Sequence, residues 1–253
     1  MMSNFFQILL TGENKNRPTL PDVFAENVDK FKSLYPDFRY HLLRDQEIER
    51  IISHSFHADV YKTYRLLRPL AFRADLARYC LLYLYGGWYA DISLKPLFRC
   101  QLPPKTKFFY FQDHGDGSMR AGPSVFDCQN GFFYSERGSS ILLGAIKAIV
   151  KNCENRFYGL TSLSPTGPTL FGSLIANQKP SLNRLAGVFM PLTPDLKNKN
   201  RAYVSPDGTL LAMHKSSWHA LHPGGGDFLS MFDLNGKANN YNWLWRNRKI
   251  YIE

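Results

Sequence analysis

The stretch that decides the fold is residues 72–93, which read FRADLARYCLLYLYGGWYADIS. Its first part has the spacing of a buried helix, and Gly86 and Gly87 then supply the backbone freedom for a sharp exit. Residues 88–92 follow as a short strand with Asp91 near its end. The stretch therefore predicts a helix, a sharp turn and a strand that carries a carboxylate to its own end.

Two charged side chains on this helix have two interpretations. Asp75 and Arg78 are three residues apart and share one face, so they can form an intrahelical salt bridge that contributes a few tenths of a kcal/mol. Ligands of open α/β sheets bind beyond the carboxyl ends of strands, where Asp91 is expected. An acid and a base beside that carboxylate favour the second interpretation, a ligand-binding cluster.

The flanking sequence indicates the fold class. A strand-length apolar run at 5–10 precedes a helix ending near 34, a strand at 38–43 and a helix at 46–53, for which Asp45 is the expected N-cap. The β-α-β-α order favours an α/β fold with a parallel sheet and helices packed on it. Further strands are expected at 107–112, 132–134, 188–190, 203–204 and 210–214, and further helices at 61–85 (broken or bent near Pro69), 141–151 and 169–177.

Composition narrows the class of protein. The chain has 253 residues, 44% of them hydrophobic, which suits one globular domain with a real core. A net charge of +10 favours anionic partners, although a basic soluble surface explains it equally well. Nucleic acid is disfavoured, because no recognised motif is present and the basic residues are scattered. Four widely spaced cysteines show neither metal-finger spacing nor a disulfide framework, which favours a reducing cytoplasm.

The pattern D-x-x-R-Y…L-Y-G-G-x-Y-x-D-x-S over residues 75–93 resembles the core motif of glycosyltransferase family 32, the DXD sugar-binding family. That family includes yeast α-mannosyltransferases and bacterial capsule and lipopolysaccharide transferases. Weaker agreement with family segments extends over residues 35–40 (YPDFRY), 130–133 (NGFF), 164–168 (SPTGP) and 214–218 (HKSSW).

The resemblance implies a GT-A fold with a mixed, mostly parallel central sheet flanked by helices. It implies one domain over 1–253, with a donor half near 1–112 and an acceptor half near 113–253. The implied activity is retaining transfer from a UDP- or GDP-sugar to a glycan or lipid-linked glycan in bacterial surface polysaccharide synthesis. The implied cofactor is Mn²⁺ or Mg²⁺, and the expected location is the cytoplasm, peripherally at the inner face of the membrane.

The resemblance also implies residue roles. Asp75, Arg78 and Asp91 would form the catalytic donor site. The resemblance gives Ser216 and Trp218 as contacts with the diphosphate. Arg73 and Lys215 are expected as further nucleotide-sugar contacts because their positive charge suits the phosphates. The metal ligands would be Asp91, Ser93 and His214. The acceptor-side candidates are Asn130, Thr166 and Gly167, of which the last two serve equally well as a plain helix cap.

Ser93 departs from the family pattern, which has a second aspartate there. A hydroxyl can coordinate a cation but brings no charge. Three interpretations follow: a metal held jointly by Asp91, Ser93, His214 and the diphosphate, a greater reliance on Arg73, Lys95 and Lys215, or a weakened relative that only binds nucleotide sugars or glycans.

The tail from 241 to 249 interleaves Trp243 and Trp245 with basic residues. Trp and Arg favour membrane interfaces, so this tail is a candidate contact with an anionic membrane surface. The alternative is that both indoles pack on the body of the protein as a C-terminal clasp.

Overall fold

A computed structural model describes residues 3–12, 19–114, 126–192, 201–218 and 239–253, with only the backbone of residues 216 and 218. One nine-stranded sheet runs through this part of the chain in the order β2-β1-β3-β6-β5-β7-β8-β9-β4. The strands are β1 (Ser3–Leu9), β2 (Phe38–Arg44), β3 (Gly87–Ala90), β4 (Lys95–Pro96), β5 (Phe108–Asp113), β6 (Cys128–Ser135), β7 (Arg184–Pro191), β8 (Arg201–Val204) and β9 (Leu210–Met213).

The sheet is mixed and flanked by helices, which confirms the expected fold class. The expected excess of parallel pairs is wrong, since β1 pairs in parallel with β2 and β3, and β5 with β7, whereas the other five pairs are antiparallel. For β7–β8 and β8–β9 the physical reason is that the connections are shorter than the crossover of about a dozen residues that parallel pairing needs.

The helices are α1 (Asp22–Leu34), α2 (Asp45–Ser55), α3 (Ala58–Leu66), α4 (Leu70–Tyr85), α5 (Ser140–Glu154), α6 (Pro168–Ala176), α7 (Lys215–Trp218) and α8 (Tyr241–Arg246). Pro69 separates α3 from α4, as the sequence predicts, because proline cannot continue a helix from its preceding turn. Among the described residues, none of these helices has the length and apolar character needed to cross a membrane.

Asp45 does not act as the expected N-cap of α2. It is the first residue of that helix, and the backbone N–H of Arg44 donates instead to Glu47 Oε2 at 2.8 Å. The Asp45 carboxylate accepts hydrogen bonds from the backbone N–H groups of Thr11 (2.9 Å) and Gly12 (3.2 Å). It therefore ties the chain after β1 to the start of α2, a tertiary contact that a local pattern does not reveal.

Two layers of apolar packing cover the faces of the sheet. Alternate residues of β1 point to opposite faces, so Phe5 packs against Phe31 of α1 at a centroid distance of 5.1 Å, whereas Phe6 belongs to the cluster that contains α4. On the α4 face, Tyr79 stacks on Phe171 of α6 at 5.3 Å. Helix α4 thus lies between the sheet and other helices, and most of its residues are buried.

The turn at Gly86 and Gly87 sets where β3 enters the sheet. Their φ angles are +64° and +115°, a region that side chains of L-residues rarely adopt. A Cβ atom on Gly87 would lie 2.0 Å from the carbonyl oxygen of Asn4. The close approach lets β3 pair with β1 and carries the chain towards Asp91.

Replacing Gly87 with alanine should therefore destabilise the protein by about 3 kcal/mol or more, because the new methyl group meets rigid backbone at an unfavourable φ. Gly138 is the matched control, since it has a φ of +76° but no atom lies within 4 Å of the position that a Cβ atom would take there. Gly138→Ala should cost about 1–2 kcal/mol from backbone strain alone. Urea unfolding measures both variants, and equal costs would show that the contact with Asn4 does not matter.

Candidate active site

Helix α4 places an ion pair inside the protein. Asp75 and Arg78 are 7% and 5% exposed, and Arg78 Nη2 lies 3.2 Å from Asp75 Oδ1. The intrahelical salt bridge considered from the sequence is therefore present, but it is buried. A buried charge is costly unless it is paired and hydrogen-bonded, so further partners are needed.

Arg78 finds those partners on two strands. Its Nη1 lies 3.2 Å from Asp91 Oδ1 and donates to the carbonyl oxygen of Asn130 at 2.7 Å. Its guanidinium carbon lies 4.6 Å from the centroid of the Tyr89 ring. Burial alone would lower the pKa of Arg78, but the neighbouring Asp91, Tyr89 and Asp75 outweigh it and raise that pKa, so the guanidinium stays charged.

Asp75 is held by residues that the resemblance assigned to the acceptor side. Its Oδ1 accepts from Asn130 Nδ2 at 2.8 Å, and its Oδ2 accepts from Thr166 Oγ1 at 2.7 Å. A Cβ atom on Gly167 would lie 3.6 Å from the same Oδ2. Burial raises the pKa of Asp75, and Arg78, Thr166 and Asn130 counteract that rise.

Asp91 is the more exposed carboxylate of the cluster. Its backbone N–H donates to the Gly131 carbonyl at 2.7 Å, and the Tyr89 hydroxyl donates to its Oδ1 at 2.7 Å. The side chain is nevertheless 35% exposed. Oδ2 faces Gly131, where a Cβ atom would lie 2.7 Å from Oδ2 and 2.9 Å from the Tyr203 hydroxyl. Glycine at 131 therefore leaves room beside this carboxylate.

A cleft of about 370 Å³ opens at this carboxylate, beyond the carboxyl ends of β1 and β3. The volume lies in the range of small-molecule sites, and the position is the one at which open α/β sheets bind ligands. The lining residues are Ile8, Leu9, Leu10, Leu70, Ala71, Ala74, Arg78, Tyr89, Asp91, Ile92, Ser93, Lys215, Asn239, Asn240, Tyr241 and Asn242.

Positively charged, negatively charged and uncharged polar side chains all line the cleft. Arg78 and Lys215 bring positive charge to it, and Asp91 is the carboxylate among its described lining residues. Three asparagines from 239–242 add amide donors and acceptors, and Asn239 Oδ1 also accepts from the backbone N–H of Leu70 at 2.8 Å. This mixture suits a ligand that carries both anionic groups and hydroxyl groups.

The described residues do not complete a metal centre by themselves. Within them, no three His, Cys, Asp or Glu side chains come together as an ion site. Asp91 and Ser93 both line the cleft, but Asp91 Oδ1 is engaged by Arg78 and Tyr89. His214 does not line the cleft, and its ring packs edge-on against Phe189 at a centroid distance of 5.5 Å. A divalent cation would therefore need ligands beyond those that the described residues bring together.

Other sequence-predicted residues lie in different surroundings. Arg73 donates from Nε to the carbonyl of Leu67 at 2.6 Å, lies over the Tyr64 ring and does not line the cleft. Lys215 lines the cleft, and its contact with a phosphate stays a prediction. The side chains of Ser216 and Trp218 fall outside the described part of the chain.

Sequence reasoning missed several site residues. Tyr89 lies on β3 two residues before Asp91, so the period of the strand places both on one face and could have identified Tyr89. Tyr203 and Asn239 come from distant parts of the chain and carry no local signal. Thr166 and Asn130 were identified, but their contact with Asp75 was not.

Comparison with known proteins supports the resemblance at the level of a glycosyltransferase sugar-binding region. Residues 21–109, roughly a third of the chain, match the family model described as the glycosyltransferase sugar-binding region containing DXD motif. This segment contains Asp75, Arg78, Asp91 and Ser93, and it is similar to the sugar-binding region of those enzymes. Comparison with curated proteins finds no match.

One solved structure that the chain matches is "PaToxG Glycosyltransferase". It is 14% identical in sequence, with a TM-score of 0.49, and the similarity covers 68% of this chain and 67% of that chain.

His214 generates a pH-dependent prediction. Burial, assisted by the charges of Lys215 and Arg201, lowers its pKa to about 3. Between that value and its ordinary pKa near 6.5, the unfolded chain binds a proton that the folded chain does not. The free energy of unfolding should therefore fall as the pH is lowered from about 6.5, and His214→Gln should reduce this slope.

Urea unfolding between pH 4.5 and 7.5 in EDTA measures the slope. His54→Gln is the control, because that imidazole is exposed. Identical slopes in wild type, His214→Gln and His54→Gln would contradict the assignment of a neutral His214.

Proposed function

We propose that this chain is a glycosyltransferase with a GT-A fold that binds a UDP- or GDP-sugar in the cleft and transfers the sugar to a glycan or lipid-linked glycan. The observation that carries the proposal is Asp91. It stands at the carboxyl end of β3, is anchored by Arg78 and Tyr89, remains 35% exposed to the cleft, and lies within the segment that matches the sugar-binding region.

The cleft offers complementary groups for each part of such a donor. Asp91 lines the cleft and can accept hydrogen bonds there from ribose or sugar hydroxyls. Lys215 supplies positive charge where the leaving diphosphate develops negative charge. The amides of Asn240 and Asn242 can pair with the donors and acceptors of a nucleobase.

The proposed transfer retains the anomeric configuration. Asp91 is not the attacking nucleophile in this proposal, and its Oδ1 is held by Arg78 and Tyr89. The acceptor oxygen forms its bond to the anomeric carbon as the bond from that carbon to the diphosphate breaks. The acceptor's proton passes to a phosphate oxygen of the leaving group, so no protein base is required.

Arg78 acts in this proposal by orienting Asp91, and Asp75 acts by holding Arg78. Asn130 and Thr166 support the same chain of contacts through Asp75. An acceptor contact by Asn130, Thr166 or Gly167 is a further proposal that rests on the resemblance. A setting in bacterial capsule or lipopolysaccharide synthesis also rests on the resemblance.

A divalent cation, Mn²⁺ or Mg²⁺, would neutralise charge on the leaving diphosphate when it is bound. Asp91 and Ser93 would face it from the cleft, and Ser93 contributes no charge. We therefore propose that the protein holds such an ion chiefly together with the nucleotide.

A second candidate function is a nucleotide-sugar or glycan-binding protein with weakened catalysis. Ser93 in place of a second aspartate favours it, because the motif then supplies one carboxylate for a metal, Asp91, instead of two. The two candidates differ in whether the protein hydrolyses or transfers the donor.

A panel of UDP- and GDP-sugars with Mn²⁺, followed by release of nucleotide, tests the transferase. Hydrolysis of the donor needs no known acceptor. Asp91→Asn keeps the shape of the side chain but removes its charge, and should lower nucleotide release at least about 100-fold. Asp59→Asn is the matched control at a half-exposed site outside the cleft.

Asp91→Asn also removes one partner of buried Arg78, so its fold is checked by thermal unfolding. Lys215→Met leaves the buried cluster intact and should still weaken binding of UDP. Full activity in both variants would show that neither Asp91 nor Lys215 belongs to the donor site. That result would contradict the proposed function.

Changing Ser93 to aspartate restores the acidic pair and should tighten Mn²⁺ binding in the presence of UDP by about tenfold or more, since affinity rises with ligand charge. In the wild type, calorimetry should show weak Mn²⁺ binding alone and much tighter binding with UDP. Equal affinity with and without UDP would contradict a nucleotide-dependent metal. If Ser93→Asp releases nucleotide and the wild type does not, the second candidate, a binding protein with weakened catalysis, is favoured.

A further inference from the structure

The C-terminal segment forms a surface that the proposed chemistry does not use. Four large apolar side chains are exposed there: Phe157 (43%), Leu160 (87%), Trp243 (49%) and Ile252 (37%). We call residues 156–160 together with residues 243–252 the Trp243 surface. Exposed apolar side chains that cluster in this way are typical of contact surfaces.

The two segments of the Trp243 surface are joined directly. Trp245 donates from Nε1 to the carbonyl of Tyr158 at 2.7 Å, and the Tyr251 hydroxyl donates to the carbonyl of Phe157. Arg156 donates to the carbonyl of Ile252 at 3.2 Å. These hydrogen bonds fix the two segments of the Trp243 surface against each other.

The two tryptophans divide between the alternatives that the sequence left open. Trp245 packs inward through its hydrogen bond to Tyr158, as the clasp interpretation expects. Trp243 is half exposed, and Lys249 Nζ lies 5.7 Å from the centroid of its ring. One indole therefore anchors the segment while the other is presented to a partner.

Positive charge surrounds the exposed apolar groups. Exposed cations on or beside the surface are Arg68, Arg156, Arg246, Arg248 and Lys249, and the acidic residues beside it are Glu154 and Glu253. Arg248 lies over the Tyr158 ring at 4.5 Å, and Arg68 joins the surface through a backbone hydrogen bond to Ile250. The excess of positive charge selects an anionic partner.

We propose that the Trp243 surface docks on an anionic lipid bilayer. Indole, long apolar side chains and Arg or Lys are the groups that membrane interfaces favour, and the cations would meet anionic headgroups while Trp243 and Leu160 enter the interface. A nucleic acid would satisfy the charge but not the exposed leucine and isoleucine.

The surface adjoins the proposed donor site. Tyr241 and Asn242 line the cleft, and Trp243 follows them on α8. Docking would bring the mouth of the cleft close to the bilayer, where a lipid-linked acceptor could reach it. This consequence rests on the proposed function, whereas the docking itself does not.

Sedimentation with vesicles tests the docking without any donor. The purified chain should bind vesicles of phosphatidylcholine with about 30% phosphatidylglycerol at least about tenfold more tightly than pure phosphatidylcholine, and salt should weaken that binding. Trp243→Ala and Leu160→Glu should each lower binding severalfold. Leu160 is almost fully exposed, so its replacement does not disturb the fold.

Charge reversal distinguishes attraction by the Trp243 surface from attraction by the net positive charge of the whole protein. Arg246→Glu with Lys249→Glu should lower binding about tenfold or more, since each cation near an anionic bilayer contributes about fivefold. Lys30→Glu with Lys105→Glu makes the same change in net charge at exposed positions elsewhere and should have little effect. Binding of UDP, measured in each variant, reports separately on the donor site.

Equal loss of binding in the two double variants would overturn the proposal, because the attraction would then be unspecific. Binding that is insensitive to Trp243→Ala and Leu160→Glu would also overturn it. So would a lack of preference for anionic vesicles, or tighter binding to a nucleic acid duplex than to the vesicles. A failure of donor binding with vesicle binding intact would contradict the proposed function and leave the docking standing.

Discussion

The site depends on the burial of one guanidinium group. Arg78 lies inside the protein between the carboxylates of Asp75 and Asp91. Removing a partner from a buried ion typically costs several kcal/mol, since the remaining charge keeps its desolvation penalty. The fold therefore has to bring α4, β3 and β6 together in one arrangement to satisfy this residue.

The same requirement connects stability with the proposed activity. The contacts that satisfy Arg78 also orient the Asp91 side chain, which lines the cleft. A group that is held before the ligand arrives needs no reorganisation on binding, which is how preorganised sites act. Asp75 contacts Arg78 and is itself held by hydrogen bonds from Asn130 and Thr166. Residues of the second half of the chain therefore stabilise the charged cluster on α4.

Ser93 gives the site a different electrostatic balance from that of the resembling family. Of the two motif positions, only Asp91 carries a charge, and it already faces Arg78. Lys215 contributes positive charge from a distant part of the chain. In the proposed transferase, protein cations would neutralise more of the charge on the leaving diphosphate than they would in a site with two carboxylates and a tightly held metal. The diphosphate itself would supply more of the ligands of that metal.

Much of the fold was predictable from local patterns. The first β-α-β-α segment, the break at Pro69 and the exit at Gly86 and Gly87 all agree with the structure, because proline, glycine and apolar periodicity act over a few residues. The mixed pairing of the sheet was not predictable in this way, since it depends on which strands become neighbours. The role of Asp45 was missed for the same reason: its partners are 33 and 34 residues away.

From the sequence alone it was possible to name the candidate site groups: an acid and a base on one helix face, a carboxylate at the end of the next strand, and a serine two residues after that carboxylate. Only the tertiary structure decided their partners. It placed Asn130 and Thr166 on Asp75, set Tyr89 and Arg78 against Asp91, brought Lys215 to the cleft, and turned Arg73 and His214 elsewhere. The physical reason is that a buried charge must be satisfied by whatever polar groups the packed elements bring within reach, and those groups come from every part of the chain.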